Sequence, residues 1–124
     1  GDLGDRMLGA LNHAFELGYG EAVIIGTDCP ALSARHLKQA FDTLKTNDVV
    51  LGPTFDGGYY LIGMKQPHQA LFRDIPWSTE AVFPNTMEVM KTENLSCGLL
   101  PRLRDLDDQD DLGFYELKGV SFAV

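Results

Sequence analysis

The chain is predicted to be an α/β domain built on a mixed sheet, and three observations carry that prediction. Ala22-Val23-Ile24-Ile25 is an unbroken apolar run ending in Gly26-Thr27-Asp28, the pattern of a strand buried on both faces. One helical pattern and then a second apolar run, Val49-Val50-Leu51, follow it, which is the order and length of a right-handed parallel crossover. The next run, Tyr59 to Met64, is reached through Asp56-Gly57-Gly58 with no helix between, so the third strand reverses direction.

The remaining elements follow from periodicity and punctuation. Gly1-Asp2-Leu3-Gly4-Asp5-Arg6 leads into a helix on which Met7, Leu8, Leu11, Ala14 and Phe15 recur at helical spacing, with Asp2 and Asp5 suited to its first turn. Gly18-Tyr19-Gly20 ends that helix and turns the chain into a first strand over 21–26. Pro30 keeps Cys29 extended, so this strand does not run straight into a helix. Ser33 is placed to cap a second helix carrying the stripe Leu37, Ala40, Phe41 and Leu44. Lys65 to Asp74 is polar around a short helical turn at Ala70-Leu71-Phe72. Ser78 is the expected N-cap of a third helix with Glu80 in its first turn, and Pro84 either kinks that helix or delays its start. Met87, Met90 and Val89 then face the core. Ser96 to Leu100 reads as a last short strand ended by Pro101, and the acidic run Arg104 to Leu112 enters a short terminal helix.

Composition narrows the class. The 124 residues suffice for one domain, 1–124, with a true core. A net charge of −8 argues against a nucleic-acid binder, which needs a basic face for phosphates. An acidic protein still binds nucleotides where a divalent cation mediates the contact. No apolar run approaches a membrane span and no signal-peptide pattern occurs. Cys29 and Cys97 form no CxxC pair, so two free thiols in a cytoplasmic setting are expected.

Four stretches could carry chemistry. Asp28 stands at the C-terminal tip of the first strand, where open α/β sheets bind ligands; a simple loop cap is the plain alternative. Phe55-Asp56-Gly57-Gly58-Tyr59-Tyr60 offers glycines that let backbone approach a ligand and an Asp56 carboxylate for a sugar hydroxyl, or else a bare hairpin turn. Pro76-Trp77-Ser78-Thr79 sets an indole beside two hydroxyls, either to stack on a sugar or to staple a helix start. Asp105 and Asp107 alternate just after a strand and can approach one cation. The same cluster fails as a calcium loop, because Asp110 stands where glycine is required. His13, His36 and His68 share no metal-ligand spacing.

In this order Gly-Asp-Leu-Gly-Asp-Arg-Met, Ile-Gly-Thr-Asp-Cys-Pro, Val-Val-Leu-Gly-Pro-Thr-Phe-Asp-Gly-Gly-Tyr-Tyr-Leu-Ile-Gly and Ile-Pro-Trp-Ser-Thr resemble the DUF2064 proteins, glycosyltransferase-like members of the nucleotide-diphospho-sugar transferase superfamily. The resemblance implies a partial GT-A fold, a Rossmann-like three-layer sandwich with a mixed sheet, whose first strand and basic nucleotide-gripping loop would precede Gly1. It implies Asp28 and Asp107, with Asp105 as runner-up, as ligands of Mg²⁺ or Mn²⁺, close together at one end of the sheet. Asp28 and Asp56 are the implied catalytic residues, and Gly57, Gly58, Tyr59, Trp77, Ser78 and Thr79 would sit beside the sugar or acceptor. The implied activity is metal-assisted glycosyl or nucleotidyl transfer from a nucleotide-sugar; the alternative is a binding or assembly module that keeps the fold without catalysis.

One further expectation concerns assembly. With every apolar segment already assigned, the strand Val23–Ile25 would present an open edge, and pairing with a second copy in a homodimer would satisfy it.

Overall fold

The computed structural model describes residues 3–25, 34–55, 57–77, 79–102 and 120–123. Its elements are helices α1 (Leu3–Glu16), α2 (Ala34–Leu44) and α3 (Val82–Thr92), a 3-10 turn at Gln69–Phe72, and strands β1 (Ala22–Ile25), β2 (Val49–Pro53), β3 (Tyr59–Met64), β4 (Cys97–Leu99) and β5 (Val120–Ala123). The strands form one sheet in the order β4-β2-β3-β1-β5. β3 runs antiparallel to both β1 and β2, while β4 pairs parallel with β2 and β5 parallel with β1. The sheet is therefore mixed, as the Asp-Gly reversal predicts.

Local chemistry sets the element ends. α1 closes with a Schellman arrangement: the Tyr19 N–H donates to the Ala14 carbonyl, the Gly18 N–H to that of Phe15, and Gly18 has φ +98°. α3 is capped not by Ser78 but by Ala81, because the chain turns helical only at Val82. Pro84 then falls in the first helical turn, where its missing N–H would have had no intrahelical partner. A late start, rather than a kink, resolves that residue.

Alternation along each strand divides the core between two faces. Ala22, Ile24, Val49, Leu51, Ile62 and Met64 pack with Met7, Leu11 and Ala14 of α1, Leu71 and Phe72 of the 3-10 turn, and Met90 of α3. Val23, Ile25, Val50, Tyr60 and Leu61 pack on the opposite side with Leu37, Ala40, Phe41 and Leu44 of α2. Helices thus cover both faces in three layers. Residues of β1 and β2 from both faces are almost wholly buried, which is why these strands read as continuous apolar runs.

One irregularity positions two aromatic rings. Gly52 opposes Leu61 and Pro53 opposes Tyr59, so Tyr60 is an extra residue in β3. The bulge breaks alternation: Tyr59 joins the α1 side, and Tyr60 joins Leu61 on the α2 side. The Tyr60 ring lies over Gly52, where a Cβ would come within 2.7 Å of its Cε1. Its hydroxyl donates to the Pro101 carbonyl at 2.9 Å, tying β3 to the chain beyond β4.

The expected open edge of β1 is not there. β5 forms a ladder along it, Ala22 opposite Val120 through Ile25 opposite Ala123. The dimer inferred from that edge loses its basis, since the chain supplies the missing strand from its own C-terminal segment. The expected terminal helix after Asp111 lies outside the described residues, as does Ser33.

The start of the β2–β4 pair carries a polar clasp with a pH signature. The Ser96 N–H and Oγ donate to Asp48 Oδ2 at 2.9 and 3.1 Å, and the Asp48 N–H donates to Ser96 Oγ at 2.8 Å. The Ser96 backbone N–H, chiefly, and then its hydroxyl hold the Asp48 carboxyl below its ordinary value of 3.8. Burial, foremost, holds His36 and His68 below their ordinary 6.5. For Asp48 the folded pKa is depressed, so its contribution is complete above the unfolded value and is lost as pH falls through the folded one. For the histidines the unfolded chain takes up protons first, so stability also declines as pH drops through 6.5. Urea titrations across this range are expected to show stability falling in two stages, and Asp48→Asn is expected to remove only the lower one. An unchanged acid limb in Asp48→Asn would contradict the assignment.

Candidate functional site

The strand registers bring one edge of the sheet into line. Ile25 of β1 and Gly52 of β2 both oppose Leu61, Leu99 of β4 lies beside Leu51, and Ala123 of β5 lies beside Ile25. The C-terminal tips of all four mutually parallel strands therefore end level at one edge. In open α/β sheets that edge carries the ligand.

The described residues of the loop after β2 are tied together there. The Thr54 N–H donates to the Gly58 carbonyl at 3.0 Å, and the Gly58 N–H returns a bond to Thr54 Oγ1 at 3.2 Å. Gly57 has φ +95°, and a Cβ on it would overlap the Glu80 carbonyl group. Its own carbonyl accepts the Phe83 N–H at 2.7 Å, satisfying one of the free donors in the first turn of α3. Thr79 shapes the approach to that helix: its hydroxyl donates to the Pro76 carbonyl at 2.6 Å and accepts from the Ala81 N–H at 3.2 Å. Phe55, Gly57, Glu80, Ala81 and Pro84 line an open groove of about 530 Å³ between loop and helix start.

Beside this loop, Tyr59 and Trp77 meet edge to face, ring centroids 6.4 Å apart. The indole also lies against α1, since a Cβ on Gly4 would stand 3.0 Å from Trp77 Nε1. Both side chains pack on the α1-side core, so Trp77 acts at least as a staple between α1 and the approach to α3. The Tyr59 hydroxyl and Trp77 Nε1 are buried and have no hydrogen-bond partner among the described residues. Burial pushes the Tyr59 phenol well above its ordinary value of 10.0.

Arg102, just past β4, was not singled out from the sequence. Its guanidinium carbon lies 5.8 Å from the Phe55 ring centre and 5.7 Å from that of Phe83, within cation–π range of both. Pro101 after a strand marks only the strand's end, and nothing local connects Arg102 with rings at positions 55 and 83. His36, in the first turn of α2, meets the Tyr60 ring edge on at 6.2 Å.

Of the sequence-predicted residues, Gly57, Gly58, Tyr59, Trp77 and Thr79 are gathered around the β2–β3 loop and the approach to α3. Asp28, Asp56, Ser78, Asp105 and Asp107 lie outside the described residues. Among the described residues no three His, Cys, Asp or Glu side chains converge on a possible metal position. No helix among them is long and apolar enough to cross a membrane.

A mixed three-layer α/β sheet with level strand tips, with a glycine loop and an open groove beside them, is the architecture of this protein. The chain belongs to the family described as "Uncharacterized protein conserved in bacteria (DUF2064)", whose model matches residues 1–79. It is similar to the crystal structure of a "putative nucleotide-diphospho-sugar transferase" from Desulfovibrio desulfuricans G20, at 37% identity and TM-score 0.81. That likeness covers 86% of this chain and 47% of the other, so the chain spans about half that protein's length. No curated protein matches it.

Proposed function

We propose that the chain serves transfer from a nucleotide-diphospho-sugar, glycosyl or nucleotidyl, assisted by Mg²⁺ or Mn²⁺. The observation that carries this reading is the alignment of strand tips with the glycine loop, in a fold 37% identical to a protein described in those terms. Asp28 follows β1 by three positions in sequence, and Asp105 and Asp107 follow β4; Asp28 with Asp107, or Asp105 in its stead, would hold the cation. A bound divalent ion would supply neutralisation of the diphosphate as charge builds on it. Asp56 would accept from a sugar or acceptor hydroxyl, while Gly57, Gly58, Tyr59, Trp77, Ser78 and Thr79 form the wall on that side. A reducing, cytoplasmic setting accords with the free thiol of Cys97.

The charge balance makes a direct test. With 18 acids against 10 bases, the chain repels a diphosphate unless a cation intervenes. Calorimetric titration with UDP-, GDP- and dTDP-sugars is expected to show weak binding that requires Mn²⁺ or Mg²⁺. Tight binding in EDTA would refute the metal-assisted reading. Cation-dependent binding with no turnover of any acceptor by the full-length protein would instead favour the non-catalytic module.

A further inference from the structure

Among the described residues Arg102 has no counter-ion, in a protein with 18 acids against 10 bases. It makes no ion pair or hydrogen bond with them; the polar contacts nearby belong to other groups. Two rings hold it instead, Phe55 and Phe83 at 5.8 and 5.7 Å. A guanidinium drawn to aromatic rings spends none of its N–H groups on an anionic partner, so they stay available for a planar, two-point acceptor. The side chain is thereby fixed in advance, which lowers the entropic cost of binding. It stands at the tip of β4, at the same sheet edge as the groove, and shares Phe55 with it. Phe55 is 63% exposed. Glu80 lines the same groove and forms no ion pair with Arg102 among the described residues.

We propose that Arg102, beside the groove and in contact with its Phe55 wall, is an anion-binding residue, and that the groove takes an acceptor that is a small hydroxylated molecule bearing a phosphate or carboxylate. Arg102 grips the anionic group, Glu80 accepts from a hydroxyl, and the exposed Phe55 ring is the platform for the carbon skeleton. An uncharged polyol satisfies Glu80 alone, and a simple anion satisfies Arg102 alone; the pairing of the two selects a ligand carrying both. The assignment of this ligand as an acceptor rests on the transferase reading above, but the anion contact itself does not.

The test is ligand titration by NMR and calorimetry with glycerol 3-phosphate, glycerate, inorganic phosphate and glycerol. Glycerol 3-phosphate or glycerate is expected to bind, with whichever is tighter identifying the anionic group, and glycerol is expected not to. Arg102→Ala is expected to weaken that binding by about tenfold to a hundredfold, the loss typical of a charge-assisted contact. Arg102→Lys should recover only part of it, because an ammonium has neither the fork nor the stacking plane. Phe55→Leu should weaken it several-fold while circular dichroism stays unchanged. Equal affinity in Arg102→Ala and wild type overturns the proposal. So does an absence of anion binding by the wild type, the result expected if the chain's own acidic run Asp105–Asp111 occupied Arg102. A parallel titration with Mn²⁺ and UDP-glucose separates the two readings. Anion binding lost in Arg102→Ala, with no nucleotide-sugar binding in either protein, keeps the site and removes the transferase reading. Nucleotide-sugar binding intact in both, with anion affinity also equal, does the reverse.

Discussion

Gly57→Ala is expected to lower the unfolding free energy by about 3 kcal/mol, from the cost of a left-handed conformation for an L-residue plus displacement of packed backbone. Gly57 has φ +95°, and its Cβ would overlap the carbonyl group of Glu80. The loop cannot yield without loss, because its Gly57 carbonyl accepts the Phe83 N–H at 2.7 Å and so completes the start of α3. Gly9 supplies a control of opposite sign. It lies within α1, and a Cβ there meets nothing within 4 Å, so Gly9→Ala is expected to add about 0.5–1 kcal/mol through helix propensity. Guanidinium denaturation of both variants checks the pair. Equal stabilities for Gly57→Ala and wild type would mean that the loop and α3 are not coupled.

The second large effect is expected on binding rather than on folding. Asp28→Asn should cut Mn²⁺ affinity by more than about tenfold, since loss of even a supporting group beside a metal commonly costs that much. Nucleotide-sugar binding that depends on the cation should fall with it. A ligand carboxylate beyond a strand tip supports little core, so stability is expected to change by less than about 0.5 kcal/mol. Asp107→Asn should reproduce the loss and Asp105→Asn only a smaller part. Unaltered Mn²⁺ binding removes Asp28 from the site. An unfolded Asp28→Asn, with Asp107→Asn folded and binding as before, assigns Asp28 to the structure instead.

These two variants differ in how far each was legible beforehand. Asp28 stands out because an apolar run ending in a carboxylate is a local pattern, and strand tips are where α/β sheets meet ligands. Gly57 stands out as a turn residue, but its docking partner does not. Glu80 and Phe83 lie beyond β3 and the 3-10 turn in the chain, and only the folded sheet brings them against the loop. The same holds for Trp77, whose two expected roles were left open by its neighbours in sequence. Its contacts with Tyr59 and Gly4 come from β3 and α1, which its neighbours in sequence do not reveal.

By itself, the sequence determined what short-range physics controls. Apolar period and glycine punctuation placed α1, β1, α2, β2 and β3 to within a residue or two, and the Asp-Gly turn determined that the sheet is mixed. Tertiary structure decided what depends on partners far along the chain. β5 is four residues with no local signal strong enough to mark a strand, and it becomes one because β1 offers a ladder to Val120–Ala123. The bulge at Tyr60 was equally hidden, since a period of two cannot reveal which strand carries an extra residue until its partner is present. That bulge puts the neighbours Tyr60 and Leu61 on the same face of the sheet. Arg102 meets its rings for the same reason: its charge is written in the sequence, but Phe55 and Phe83 come from a loop and a helix that meet only in the fold.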